Sequence, residues 1–206
     1  MVVILQNSRP TSKLNGSKTS RYRPITVRAL GRNFTQRRCP GIRSRSLYSR
    51  IGEIDAKLIH DDKAFRALSK EKRSEYDQMI RLTDRITLSQ LWVLGAYEVT
   101  RTLDERFRNR PKVLTKRLGQ QILTTKKAFA RVRIPLAKFE PAGAHRSTDF
   151  AVAFPAMHRD LGISWKVANR LFVPRRQLSD KLLCLLSAIQ EHQDRRVVNS
   201  RCNGEL

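Results

Sequence analysis

The side chains best suited to acid/base chemistry in this sequence are two histidines, each close to an aspartate: His145 with Asp149, and His158 with Asp160. Two converging imidazoles could cleave RNA without a metal, because histidine gains and loses a proton near neutral pH. A strand over about residues 150–157 would hold the two histidines roughly 25 Å apart, at about 3.4 Å per residue. They would share a site only if this segment bent. A metal-independent ribonuclease is therefore the third hypothesis, behind two in which the protein is not an enzyme.

Residue spacing argues against the common cofactor sites. The nine glycines lie too far apart for the GxGxxG and GxxxxGK loops, which bind nucleotide phosphates through closely spaced glycines. Three cysteines, Cys39, Cys184 and Cys202, are too widely spaced for a zinc knuckle, and an odd number is atypical of a secreted disulfide framework. The sequence therefore predicts no cofactor, no bound metal and a reducing, intracellular compartment.

Net charge is the most distinctive property of the chain. Its 206 residues include 42 Lys and Arg against 18 Asp and Glu, which gives a net charge of +24. Solubility alone needs a charge of about 2–8 for a small domain, so a polyanionic partner is expected. A membrane partner is not expected, because the longest uncharged and largely apolar stretch, about 86–97, is shorter than the ~20 residues of a spanning helix.

The excess charge lies in two segments that contain no acidic residue. Residues 1–52 hold twelve basic residues and residues 106–139 hold eleven, whereas the rest of the chain is nearly neutral. Because solvated surfaces normally carry both signs, segments without acids favour a nucleic-acid partner. RNA is preferred over DNA, since the sequence contains no helix-turn-helix or other DNA-binding module.

The second basic segment has the period of an amphipathic helix. Apolar residues recur at spacings of three and four from Leu114 to Val132, after Pro111, which suits a first helical turn. The opposite face is basic along its length and would match a row of phosphates, although a basic face can also be simply solvated. We expect the nucleic-acid contacts at Lys112, Lys116, Lys127, Arg131 and Arg133.

The first basic segment, residues 1–50, has no helical or strand period and is rich in polar residues, which is typical of a disordered arm. Three interpretations stay open: an arm that neutralises phosphates and stacks on bases, a mitochondrial transit peptide, and a leader from a start codon assigned too far upstream. We expect a cytoplasmic protein, with the mitochondrial matrix as the alternative if the segment is a transit peptide.

The best-marked helix is predicted to begin at a capping box, TLSQ, at residues 87–90. Its buried face would include Leu88, Leu91 and Trp92, and Trp92 is predicted to be a core residue. Two shorter helices of mixed charge are predicted upstream. Together these elements indicate a helical bundle.

Downstream, alternating residues predict a β-hairpin with strands at about 150–157 and 163–167, a short third strand at 171–173, and a closing helix. The sequence therefore predicts an α+β domain over residues 51–193, mostly a helical bundle with a small antiparallel sheet near the C-terminus. A disordered basic arm would precede it, and residues 194–206 would form a polar tail.

Charge and fold class together leave two non-enzymatic hypotheses for function. The leading one is a small basic protein that binds RNA through the basic helix face. The alternative is a structural or protein-interaction module, in which the amphipathic helices dock a protein partner and the charge plays no part. The ribonuclease at His145 and His158 is the third.

Overall fold

The computed structural model of the protein describes residues 4–5, 45–109 and 114–202. Its helices are α1 (Arg45–Ala67), α2 (Lys70–Arg73), α3 (Tyr76–Asn109), α4 (Lys116–Lys138) and α5 (Arg175–Cys202). Its strands are β1 (Ile4–Leu5), β2 (Phe154–His158), β3 (Gly162–Ala168) and β4 (Leu171–Pro174), and a 3-10 turn covers Gly143–His145. The predicted α+β class, mostly helical with a small sheet near the C-terminus, is confirmed.

The sheet has the strand order β1-β2-β3-β4. As predicted, β2, β3 and β4 are antiparallel, and β1 adds a short parallel pairing to β2. Alternate residues of β3, Ile163, Trp165 and Val167, are completely buried against the helices. The sheet therefore closes one side of the helical bundle.

The first predicted strand is wrong at its N-terminal end, since β2 begins at Phe154 and not near residue 150. Asp149 is held by the guanidinium of Arg131 on α4, which fixes the chain just ahead of the sheet. Phe150 then donates one backbone hydrogen bond to Val167, at 2.7 Å, before the regular ladder starts. Alternation in the sequence could not reveal that a side chain holds this segment on a helix.

The predicted capping box is also wrong, because α3 begins well before TLSQ and runs through it. The Thr87 hydroxyl donates to the carbonyl of Thr83 at 3.1 Å, as a threonine inside a helix does. The buried face is rotated from the prediction, so that Leu88 is 36% and Leu91 58% exposed. No glycine or proline interrupts residues 76–86, and the helix therefore starts earlier than the local cap pattern suggests.

Trp92 lies in the main core, as predicted. It is 3% exposed, its indole N–H donates to the carbonyl of Ile51 at 3.1 Å, and its ring lies 5.7 Å from that of Phe129. These contacts join α1, α3 and α4 around one side chain. Trp165 of β3 belongs to the same buried cluster.

The apolar stripe predicted for α4 is confirmed from Leu118 to Val132, but the predicted start at Pro111 is wrong, because α4 begins at Lys116 and Leu114 lies ahead of it. Thr115 caps the helix by accepting a hydrogen bond from the Leu118 amide at 3.3 Å. Leu118 and Ile122 pack against Leu185 and Ile189 of α5 in a second buried cluster. Because α4 is buried against both α3 and α5, its remaining face is open to solvent. The buried residues of the stripe are Leu118, Ile122, Thr125, Phe129 and Val132.

A charged network lies in the core between α1 and α5. Arg175, 1% exposed, forms ion pairs with Asp55 and Asp62, and Ser179 donates a hydrogen bond to Asp55. Asp62 also accepts from the backbone N–H of Ile163 at 3.3 Å. Burial raises the pKa of both carboxyl groups above the usual value, and Arg175 offsets this only in part. The network joins α1, β3 and α5 through charges shielded from solvent.

Gly119 marks a close contact between α4 and α3. A Cβ atom at this position would lie 2.2 Å from the ring of Phe107. Gly119→Ala is therefore expected to lower the free energy of unfolding by about 1–3 kcal/mol through overpacking, although alanine is otherwise the better helix former. Urea denaturation of the variant and the wild type measures this difference.

Gly52 in α1 is the matched control, since nothing lies within 4 Å of a Cβ placed there. Gly52→Ala should raise stability by up to about 1 kcal/mol, the ordinary gain of alanine over glycine inside a helix. Adding Phe107→Leu to Gly119→Ala should recover part of the loss. Equal effects of the two glycine substitutions would contradict the close contact.

Most of the predicted basic arm, residues 6–44, lies outside the described residues. The structure therefore does not test the prediction that the arm is disordered. Helix α1 begins at Arg45, inside the arm as the sequence analysis bounded it. Helix α5 continues through the start of the predicted polar tail to Cys202.

Candidate nucleic-acid interface

The solvent face of α4 presents a line of lysines. Lys116, Lys127 and Lys138 recur every eleven residues, which on an α-helix places them about 20° apart and about 16.5 Å from one another along the axis. All three are exposed, and α4 contains no acidic residue. Lys138 lies 3.8 Å from Glu140. The other two have no ion pair with any residue that the structure describes.

Arg131 lies on the same face but is already bound to a carboxylate. Its Nε and one terminal nitrogen donate to the two oxygens of Asp149, at 2.7 and 2.8 Å. The hydrogen bonds from Arg131 lower the pKa of Asp149, so this carboxyl group stays ionised through the neutral range. The guanidinium is neutralised within the protein, and the side chain as a whole is only 26% exposed. It holds the segment ahead of β2 on α4 and contributes little free positive charge.

Two further cations of α4 face α3 and not the open side. Lys126 forms an ion pair with Asp104 at 2.6 Å, and Asp104 also binds Arg108. The guanidinium of Arg133 lies 5.1 Å from the ring centre of Tyr97, in a cation–π contact. These side chains attach α4 to α3. Of the five predicted contact residues, Lys116 and Lys127 are therefore the free ones, while Lys112 lies outside the described residues.

A cleft between α4 and α5 brings further polar groups beside Lys127. It has a volume of about 240 Å³ and opens to solvent. Lys181, which the sequence analysis did not single out, is exposed on α5 and has no ion pair among the described residues. Gln177 lies one turn before Lys181 on the same side of α5. The residues lining the cleft are Lys127, Ala128, Arg131, His145, Val173, Gln177, Leu178 and Lys181.

The cleft is basic because cations from two helices meet there. Lys127 and Lys181 approach from opposite walls, and His145 is held at the edge by the 3-10 turn, in which it accepts backbone hydrogen bonds from Thr148 and Asp149. An anion in the cleft would therefore meet positive charge on both sides. None of the lining residues is acidic, and the Asp149 carboxylate that binds the lining residue Arg131 has both oxygens occupied by it.

The two histidines proposed for ribonuclease chemistry lie in different surroundings. His145 lines the cleft, whereas His158 ends β2, where its Nδ1 accepts from the amides of Asp160 and Leu161 at 3.1 and 3.3 Å. His158 thereby stabilises the β2–β3 turn. Neither histidine contacts the other among the described residues. In that part of the chain, no group of three or more His, Cys, Asp and Glu side chains could hold a metal ion.

No protein-family model, no curated protein and no solved structure matches this chain. Within the described residues, no helix is long and apolar enough to cross a membrane. A functional assignment therefore rests on the contacts and charges of the chain itself.

Proposed function

We propose that the protein binds RNA without catalysing a reaction, and that the phosphates lie along the exposed face of α4 and in the cleft between α4 and α5. The observation that carries this proposal is the pair of uncompensated lysines, Lys127 and Lys181, on the two walls of one cleft. Lys116 extends the same line towards the start of α4.

The distribution of ion pairs supports this choice of surface. Cations on the α3 side of α4 are paired or stacked, as Lys126 and Arg133 illustrate. On the open side, Lys116 and Lys127 form no ion pair with any described residue, whereas Asp149 holds Arg131 and Glu140 lies 3.8 Å from Lys138. The phosphates of a nucleic acid would supply the missing counter-charge. The lysines would in turn displace the cations condensed on the nucleic acid, and this release makes binding favourable at low salt.

The first test is a titration of the full chain with a fluorescent single-stranded RNA at two salt concentrations. Changing Lys116, Lys127 and Lys181 together to Gln should weaken binding at least about tenfold. The slope of log affinity against log salt should fall by about 2, because each phosphate contact on a single strand contributes about 0.7.

The control changes three exposed lysines of α1 and α2, Lys57, Lys70 and Lys72, to Gln, which removes the same charge from another part of the surface. This control should alter affinity less than threefold, through net charge alone. An affinity for RNA that does not change with salt concentration would refute the proposed interface. Equal losses of affinity in the two triple variants would refute it as well.

The compartment stays a proposal beside the function. We place RNA binding in the cytoplasm, with the mitochondrial matrix as the alternative if residues 1–50 are removed as a transit peptide. Sequencing the N-terminus of the native protein separates these two cases.

A protein partner is the second candidate, because one face of α3 exposes apolar side chains. Tyr76 is 79% exposed, Ile80 46% and Leu91 58%, and they recur along the solvent side of the helix. Exposed apolar residues that line up in this way are typical of an interaction surface. A purified chain with the 260/280 nm absorbance ratio of protein alone, and no salt-dependent RNA binding, would favour this candidate.

A further inference from the structure

Three side chains form a row across the face of the sheet that lies away from the helices. The register pairs Phe154 of β2 with Lys166 of β3, and Lys166 with Phe172 of β4. Their neighbour Trp165 points to the opposite face and is completely buried in the core. Because side chains alternate along a strand, the row Phe154, Lys166 and Phe172 faces outward.

Phe150 extends this row at the β2 side. Its ring lies 6.2 Å from that of Phe154, edge to face at 72°, and the ammonium of Lys166 lies 5.7 Å from its centre. Phe154 is 49% exposed. We call Phe150, Phe154, Lys166 and Phe172 the aromatic row. It combines an accessible π face with a positive charge.

The aromatic row is joined directly to the basic face of α4. Phe150 follows Asp149, and the Asp149 carboxylate binds Arg131 at 2.7 Å. Consecutive Cα atoms are about 3.8 Å apart, so the row begins within a few ångströms of the residue that contacts α4. Lys166 of β3 and Arg170 in the β3–β4 turn form no ion pair with any described residue, so the sheet also carries free positive charge that suits a polyanion.

We propose that the aromatic row stacks on unpaired bases, so that the ligand of the α4 face is single-stranded RNA in particular. This inference rests on the proposed function and specifies its substrate class. Phenylalanine offers stacking without base-specific hydrogen bonds, and contact with it is therefore tolerant of sequence. In a duplex the base faces are already stacked on one another, and the row has nothing to bind.

The test compares an unstructured single-stranded RNA of about 20 nucleotides with the corresponding duplex, using the full chain. Phe154→Ala should weaken binding of the single strand about tenfold, in line with the loss of one stacked base. Affinity for the duplex should change less than twofold. Tyr76→Ala removes a more exposed aromatic ring, 79% against 49%, from α3 and should leave both affinities unchanged.

A second variant keeps the ring and reports contact directly. Phe154→Trp should retain affinity for the single strand, and its fluorescence should be quenched by the single strand and not by the duplex. The native tryptophans, Trp92 and Trp165, are 3% and 0% exposed, so the emission of the new exposed indole is separable from theirs.

The outcomes separate the two proposals. Equal affinity of Phe154→Ala and wild type for the single strand, without quenching in Phe154→Trp, would overturn the stacking inference and leave the α4 interface in place. Equal losses for single strand and duplex would also overturn it, since the row would then act through charge or fold. Wild-type protein that binds neither RNA would defeat the proposed function itself.

Discussion

Replacing Arg175 by methionine is expected to lower the free energy of unfolding by about 3–5 kcal/mol. The side chain is 1% exposed and is the cation that pairs with Asp55 and Asp62 in the core. Methionine fills a similar volume but leaves two buried carboxylates without their partner, which is the costly way to break a buried ion pair. Urea denaturation at pH 7 measures the loss.

The same variant should show a distinct pH dependence. Burial raises the pKa of Asp55 and Asp62 above the unfolded value of 3.8, so the fold prefers their protonated form. Their contribution to stability is present below that value and is lost as the pH rises through the raised pKa. Without Arg175 this loss is larger. The deficit of Arg175→Met relative to wild type should therefore shrink between pH 7 and pH 4.

Arg176 provides the control for this prediction. It is the next residue on α5, and its ion pair with Asp180, at 3.0 Å, lies at the surface. Arg176→Met should cost less than about 1 kcal/mol at pH 7, as exposed ion pairs do. The prediction would be contradicted if the two methionine variants lost similar free energies of unfolding, or if the deficit of Arg175→Met did not change with pH. Either result would show that the buried charges do not govern stability.

Truncating Trp92 to alanine is expected to cost about 3–5 kcal/mol, a large part of the 5–15 kcal/mol that holds an ordinary domain. The substitution removes a side chain that contacts Phe129, donates to the carbonyl of Ile51 and lies beneath Arg175, whose guanidinium is 5.6 Å from its ring. Thermal unfolding should show a lowered Tm. Where the variant stays folded, its affinity for RNA should be unchanged.

Leu91→Ala is the matched control, because this neighbouring residue is 58% exposed. It should change stability by no more than about 0.5 kcal/mol, as surface substitutions usually do. Unchanged stability of Trp92→Ala combined with weakened RNA binding would mean that this side chain contacts the ligand and not the core.

The sequence predicted elements wherever a single local pattern determined them. The apolar spacing of α4 and the alternation of residues 163–167 each follow from one period, and the structure contains the predicted helix and the predicted strand. The start of α3 was missed because the capping pattern at Thr87 also occurs inside helices. Its hydroxyl is satisfied there by the Thr83 carbonyl, and only the residues upstream show that the helix is already formed.

The candidate site was predictable only in part, because the sequence shows which residues are charged but not which of them are already neutralised by an ion pair. The sequence places Arg131 and Lys127 on one face of α4, but it does not show that Asp149 neutralises Arg131. Lys181 joins the cleft through the packing of α5 on α4, which no local pattern encodes. The sequence did contain a signal for the buried network. Asp55 and Asp62 lie seven residues apart, which is two helical turns, so both fall on one face of α1, as the residues of an apolar stripe do.

The position of Arg175 also bears on how the chain acquires its structure as it is made. The hydrogen bond from Arg175 to Asp55 spans 120 residues. At about 5–20 residues per second, α1 leaves the ribosome on the order of ten seconds before its counter-ion does. Throughout that interval the nascent helices carry two acidic groups on the side that must become the core. Completion of the core is thereby deferred to the arrival of α5.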